Sequence, residues 1–243
     1  MDMHTTTSYE AFLAARRAEI LERIADAALR SGRAVDEIEL LAVSKTVGPS
    51  EVVSAWKAGY RLFGENRPQE LVRKLTALSE VPDLEGITFD MIGNLQKNKI
   101  NQVLGNARRI HSVSSLHLAQ AISKRAEARG LVVPVLLEVN VSGEASKSGF
   151  EPHEVLAQAE NVVKLDGIRV DGVMTMAPAG DDDAARRTFS ALRDLRDDLR
   201  VVCGLPLDVL SCGMSDDFTI AVEEGSTLVR LGRIVFDQGY ELS

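Results

Sequence analysis

Cysteine is nearly absent from this chain: Cys203 and Cys212 are its only two in 243 residues. Two thiols with no secretory leader ahead of them give neither a disulfide framework nor the paired spacing of a zinc site. Both read as buried or incidental thiols. Long apolar runs are also missing. Nothing approaches the ~20 apolar residues that a membrane span requires, and the first ten residues are polar. The expectation is a cytoplasmic protein with no membrane partner. Positive charge is in deficit, with a formal net charge of −8, which argues against a nucleic-acid partner. A local pocket can still be positive enough for a small anion. Histidine is scarce, and His4, His111, His117 and His153 have no metal-ligand spacing. No Ser-His-Asp constellation emerges, and no glycine-rich dinucleotide turn follows the first apolar run.

What the chain does have is alternation. Residues 11–30 carry a helical apolar stripe ended by Ser31-Gly32. Short runs rich in β-branched residues follow at 38–44, 62–63, 87–92, 109–113, 132–139, 168–174, 207–210 and 227–229. Helical patterns lie between them, at 49–58, 69–78, 96–103, 115–128, 154–163, 182–200 and 216–223. Several open on a cap or first-turn proline: Gly48-Pro49, Ser114, Glu151-Pro152, Asp181 and Ser215. Eight strands joined by helices in a chain of this length predict a closed parallel (β/α)8 barrel of the TIM type. The reading is one domain over 1–243, with an N-terminal helix at about 8–31 that plugs or flanks a barrel at about 38–236. The lack of a long apolar surface stripe points to a monomer.

Chemistry in such barrels sits where strands end. The first strand runs straight into Lys45, whose amine would stand in the barrel mouth. Burial there would lower its pKa toward what imine formation with an aldehyde requires; a lysine that snorkels to solvent is the alternative. After the seventh strand comes Ser211-Cys212-Gly213-Met214-Ser215, and after the eighth Arg230-Leu231-Gly232-Arg233. These two loops are the usual phosphate cradle of such barrels, and Gly213 and Gly232 permit close backbone approach. An ordinary loop and cap is the plainer reading of the same residues. Asn66 ends the second strand beside Lys45. Lys97, Lys99 and Lys147 read as solvated charges, and His111, closing the fourth strand, as structural.

Taken together, these strand ends resemble the pyridoxal phosphate homeostasis protein family, whose barrel is similar to the N-terminal domain of alanine racemase. The segments that carry the resemblance span nearly the whole chain. They include Leu41-Ala42-Val43-Ser44-Lys45-Thr46, Phe63-Gly64-Glu65-Asn66, Val139-Asn140-Val141-Ser142, Gly172-Val173-Met174-Thr175-Met176-Ala177-Pro178 and Leu210-Ser211-x-Gly213-Met214-Ser215. The resemblance implies a fold type III barrel binding pyridoxal 5′-phosphate as a Schiff base on Lys45. It places Ser215 and the amides near Gly213 and Gly232 on the phosphate, Arg230 at the pyridine nitrogen and Asn66 beside the imine, and counts Ser211 among the cofactor residues. The chain departs from the family pattern at Asp90 (usually His), Ser114 (usually Asp), Cys212 (usually Met or Leu) and Asp237 (usually Gly). Asp90 is expected to put a carboxylate near the mouth.

An arginine at the ring nitrogen leaves that nitrogen neutral and the ring a weak electron sink. Tyr9, Tyr60 and Tyr240 do not end strands that point into the mouth, and no β-domain with a second base is expected to follow. The resemblance therefore implies a non-catalytic protein that binds, buffers and delivers the cofactor to apo-enzymes. A weak fold type III enzyme such as an amino-acid racemase, and a barrel binding another phosphorylated metabolite without covalent chemistry, stand as the alternatives.

Overall fold

The computed structural model describes residues 3–144 and 147–241. Helix α1 (Met3–Arg30) precedes a barrel whose strands are β1 (Glu39–Val43), β2 (Leu62–Glu65), β3 (Thr88–Met91), β4 (Ile110–Val113), β5 (Val133–Glu138), β6 (Ile168–Met174), β7 (Val209–Ser211) and β8 (Leu228–Leu231). All neighbours are parallel, and β8 pairs back on β1. The connecting helices are α2 (Pro49–Lys57), α3 (Pro68–Leu78), α4 (Ile100–Val103), α5 (Leu116–Glu127), α6 (Pro152–Val163), α7 (Asp182–Cys203) and α8 (Phe218–Glu223), with a last turn α9 (Arg233–Phe236) after β8. This is the (β/α)8 barrel with an added N-terminal helix that the alternation predicts.

Two apolar layers follow from strand period. Outward residues such as Ala42, Phe63, Phe89 and Val229 meet the helices, and α1 joins this layer through Leu13, Ile20, Ile24 and Ala27. Each fully buried Leu or Ile side chain among them contributes about 1.5–3 kcal/mol. Inward residues Leu41, Val43, Leu62 and Leu228 form a separate cluster inside the barrel. Helix α1 thus flanks the barrel: it packs on α8 and α2, and Arg16 donates to the Ile234 and Tyr240 carbonyls. Its end is a Schellman turn, with Gly32 at φ +70° and the Arg33 amide donating to the Ala28 carbonyl.

Some boundaries differ from the sequence reading, for local reasons. The N-cap of α5 is Ser115, not Ser114; its hydroxyl accepts from the Leu118 amide at 3.2 Å. Ser215 does not cap α8 either, since the N-cap position falls to Asp217. Asp181 does cap α7, accepting from the Ala184 amide at 2.8 Å. β7 starts at Val209 because Leu207 sits at φ +42°, which a strand cannot hold. β8 runs on through Arg230 and Leu231.

Candidate functional site

Inward alternation places the site. Leu41 and Val43 point into the barrel, so Lys45 enters its mouth two residues on; Leu62, Gly64 and Asn66 repeat this in β2, and Leu228, Arg230 and Gly232 in β8. The mouth opens into a cavity of about 670 Å³ lined by Lys45, Asn66, Glu138, Ser215, Arg230 and Gly232, among others. Five of the seven expected site residues therefore share one cavity. Ser211 and Gly213 lie behind its wall.

Lys45 is exposed in the open mouth, so the burial expected of it is not present. What distinguishes its ammonium is freedom: no described residue hydrogen-bonds or ion-pairs with it. Its backbone, by contrast, is anchored. Ser44 is fully buried; its carbonyl accepts from the Lys74 ammonium at 2.6 Å and its hydroxyl donates to Glu65 Oε1 at 2.6 Å. Lys74 also pairs with Glu65, and both side chains are buried. Asn66, next in the chain, is held close to the β3 end. A Cβ added at Gly93 would come within 2.3 Å of the Asn66 carbonyl oxygen, so that position requires glycine.

Arg230 is buried and heads a polar chain that crosses the barrel interior. Its Nη1 donates to Ser211 Oγ at 2.6 Å and its Nη2 to the Thr175 carbonyl at 2.9 Å. Ser211 Oγ lies 3.2 Å from His111 Nδ1, and His111 Nε2 lies 2.9 Å from Asp90 Oδ2. Asp90 also accepts from Arg108, which reaches Glu39 at the opposite barrel face. Asp90 and His111 are fully buried. Donor and acceptor roles then follow in one direction: Arg230 donates to Ser211, Ser211 to a neutral His111, and His111 to the Asp90 carboxylate. Asp90 is therefore not at the mouth, as the sequence suggested, but one layer beneath it. Ser211 orients Arg230 and does not face the cavity.

Burial pushes the His111 pKa below its ordinary value. Asp90, which burial alone would raise, is held low by His111 and Arg108. The folded chain thus keeps imidazole neutral, whereas the unfolded chain takes up a proton as pH falls through about 6.5. The unfolded state then binds more protons, so stability falls with pH below that point. The urea midpoint is expected to drop between about pH 7 and 5, and His111→Gln to flatten that slope. An unchanged slope in the variant would assign the loss to other groups.

The β7–β8 side of the mouth carries Ser215, whose hydroxyl accepts from the Ile234 amide at 3.3 Å. Gly213 turns the chain here at φ +94°; a Cβ would come within 2.6 Å of Ala221 Cβ. An added Cβ at Gly232 would approach Val43 only to 3.4 Å. Tyr240, which sequence reading set aside, reaches this loop and donates to the Ser215 carbonyl at 3.1 Å. Lys147 is not a solvated charge: it donates to the Met176 carbonyl at 3.2 Å and pairs with Glu144. Among the described residues, no group of three or more His, Cys, Asp or Glu side chains could hold a metal, and no helix is long and apolar enough to cross a membrane.

A closed parallel barrel with a free lysine at the end of β1 and a buried arginine on β8 defines the class, and residues 20–238 match the family described as alanine racemase, N-terminal domain. The chain is 40% identical over 224 residues to the pyridoxal phosphate homeostasis protein of Aquifex aeolicus, covering 92% of this chain and 96% of that protein. It belongs to the pyridoxal phosphate homeostasis protein family. Among solved structures, an unknown protein from Bifidobacterium adolescentis superposes with a TM-score of 0.87 at 41% identity, covering 97% of each chain. PipY of Synechococcus elongatus, solved with PLP bound, gives a TM-score of 0.77 at 32% identity, covering 89% of this chain and 99% of that one.

Proposed function

We propose that the barrel mouth holds pyridoxal 5′-phosphate with its aldehyde linked to Lys45 as a Schiff base, and that the protein stores and delivers this cofactor without turning over amino acids. The observation that carries the reading is the free Lys45 amine sharing one cavity with buried Arg230 and with Ser215 and Gly232. The donor set fits the group. Lys45 supplies a nucleophilic nitrogen, Arg230 a fixed cation for the ring nitrogen, and Ser215 with the glycine-lined loop a place for a phosphate. When bound, the cofactor supplies an aldehyde and a ring able to accept electrons from an attached amine.

Arg230 is what limits chemistry. It would donate to the ring nitrogen and could not accept a proton from it; Ser211 and Thr175 fix its guanidinium. Among the described residues, those that line the cavity include no tyrosine. The reading extends to a cytoplasmic, monomeric, single-domain carrier whose recipients are apo-enzymes. Two measurements test it. Proton NMR in deuterated buffer is expected to show no Cα exchange of alanine or serine at enzymatic rates, on the order of 1 per second, and a mixing assay to show reactivation of an apo-enzyme by the loaded protein. Exchange at such a rate, dependent on Lys45, would overturn the carrier reading in favour of a fold type III enzyme.

A further inference from the structure

The loop assigned above to a phosphate carries two carboxylates, Asp216 and Asp217, and a dianion beside them requires both charges to be paired or turned away. The turn itself engages Asp217. Residues Met214 to Asp217 are closed from both ends: the Asp217 amide donates to the Met214 carbonyl at 3.2 Å, and the Met214 amide to Asp217 Oδ1 at 2.6 Å. Ser215 and Asp216, the two central residues, line the cavity, and their amides donate to no described residue. The Ser215 hydroxyl accepts from the Ile234 amide, and its own hydrogen meets no acceptor among the described residues. Asp216 is engaged from outside the cavity, by the segment that follows α9. Tyr240 is not among the lining residues. Its hydroxyl reaches the Ser215 carbonyl at 3.1 Å and Asp216 Oδ1 at 2.5 Å, sharing one hydrogen between the two acceptors. Arg233 pairs with Asp216 Oδ2, and its Cζ lies 5.6 Å from the Tyr240 ring centroid. Arg16 of α1 holds the Tyr240 carbonyl in turn, with both Nη atoms at 3.1 Å.

The Ser215 carbonyl and the Asp216 N–H belong to one trans peptide plane, so they point in opposite directions. A donor that fixes the carbonyl on the outer side therefore aims the N–H toward the cavity. We propose that Tyr240 is a positioning residue of the phosphate loop: it holds the Ser215–Asp216 peptide so that this N–H joins the Ser215 amide and hydroxyl on the phosphate, and with Arg233 it keeps the Asp216 carboxylate off that anion. The inference rests on the cofactor reading and adds to it a residue and a selectivity for the phosphorylated aldehyde. Burial and the Asp216 carboxylate push the phenol pKa up to about 12, so Tyr240 remains a donor at neutral pH. Nothing in this arrangement touches Lys45 or the aldehyde it would take, so its loss weakens the hold on the phosphate alone.

Tyr240→Phe keeps the ring and its contact with Arg233 and removes only the hydroxyl. The test titrates the wild-type protein and this variant with pyridoxal 5′-phosphate and with pyridoxal, which lacks the phosphate, and records phosphorus NMR spectra of the loaded proteins. The dissociation constant for the phosphorylated aldehyde is expected to rise about five- to tenfold, with that for pyridoxal unchanged and the phosphorus resonance moved toward the position of the free cofactor. Adding Asp216→Asn removes the charge that the phenol no longer holds, and is expected to recover part of the lost affinity. An unchanged constant for the phosphorylated aldehyde would overturn the positioning role. An equal rise for both aldehydes would overturn it too, since a residue that merely supports the fold does not distinguish them. A double variant that binds no better than Tyr240→Phe would overturn the part given to Asp216. A wild-type protein with no borohydride-reducible adduct on Lys45 would instead take down the cofactor reading, and this inference with it.

Discussion

Lys45→Ala protein is expected to fold with a wild-type thermal midpoint and to lose its visible absorbance completely. Both halves follow from where Lys45 stands. Its side chain is exposed at the mouth and engages no described residue, so its removal costs no more than a surface substitution, about ±0.5 kcal/mol. Among the described residues it is also the only lysine that lines the cavity. Absorbance spectra before and after borohydride, with mass mapping of the reduced adduct, check the result. An adduct retained at wild-type level would move the linkage to another lysine. Lys147, bonded to the Met176 carbonyl near the mouth, is the first to examine. A collapse of the thermal midpoint would show that Lys45 carries structural weight its surroundings do not reveal.

Much of this architecture is legible in the sequence because barrel strands are buried on both faces and so read as short β-branched runs. Lys45 was findable for the same reason: a charge directly after Leu41-Ala42-Val43-Ser44 has to lie where the strand leaves the barrel. The polar chain beneath the cavity was not findable in this way. Asp90 and His111 stand 21 residues apart in sequence and meet only because β3 and β4 are neighbours. Arg230 looked like a loop residue because a charge normally ends a buried run; in the barrel it is an inward position of β8, satisfied by Ser211 and Thr175. A signal did exist. Asp90 interrupts Phe89-Asp90-Met91 at a position whose two neighbours face the helices, so the alternation alone sends it inward. The failed expectation for Ser215 has a different cause. Its hydroxyl is engaged by the Ile234 amide across the β7–β8 loops, a tertiary contact with no local sequence signature.

Lys74 is the residue whose loss is expected to cost the most stability. In α3 it occupies the stripe of Pro68, Leu71 and Leu78, the face that packs on the barrel, and it is 1% exposed. A lysine within an apolar stripe is held there only if something inside receives it. Glu65 and the Ser44 carbonyl do. Lys74→Met would leave Glu65 buried with its charge, one oxygen held by the Ser44 hydroxyl and the other, Oε2, without a partner. Breaking a buried pair from one side costs about 3–5 kcal/mol, which for a chain of this size lowers the thermal midpoint by roughly 6–20 °C. Replacing both partners, as Lys74→Met with Glu65→Gln, removes the stranded charge and is expected to recover most of that loss. The pair also positions the site, because the carbonyl that Lys74 holds belongs to the residue just before Lys45. The double variant is therefore expected to melt near the wild-type midpoint yet retain the cofactor more weakly, since the Ser44 carbonyl then keeps only the Val47 amide as a donor. Thermal melts of both variants, with cofactor titration of the double variant, separate the two effects. A single variant that loses less than about 1 kcal/mol would mean that water reaches Glu65 and that the pair does not hold this end of the barrel. A double variant with wild-type retention would mean that β1 positions Lys45 without help from α3.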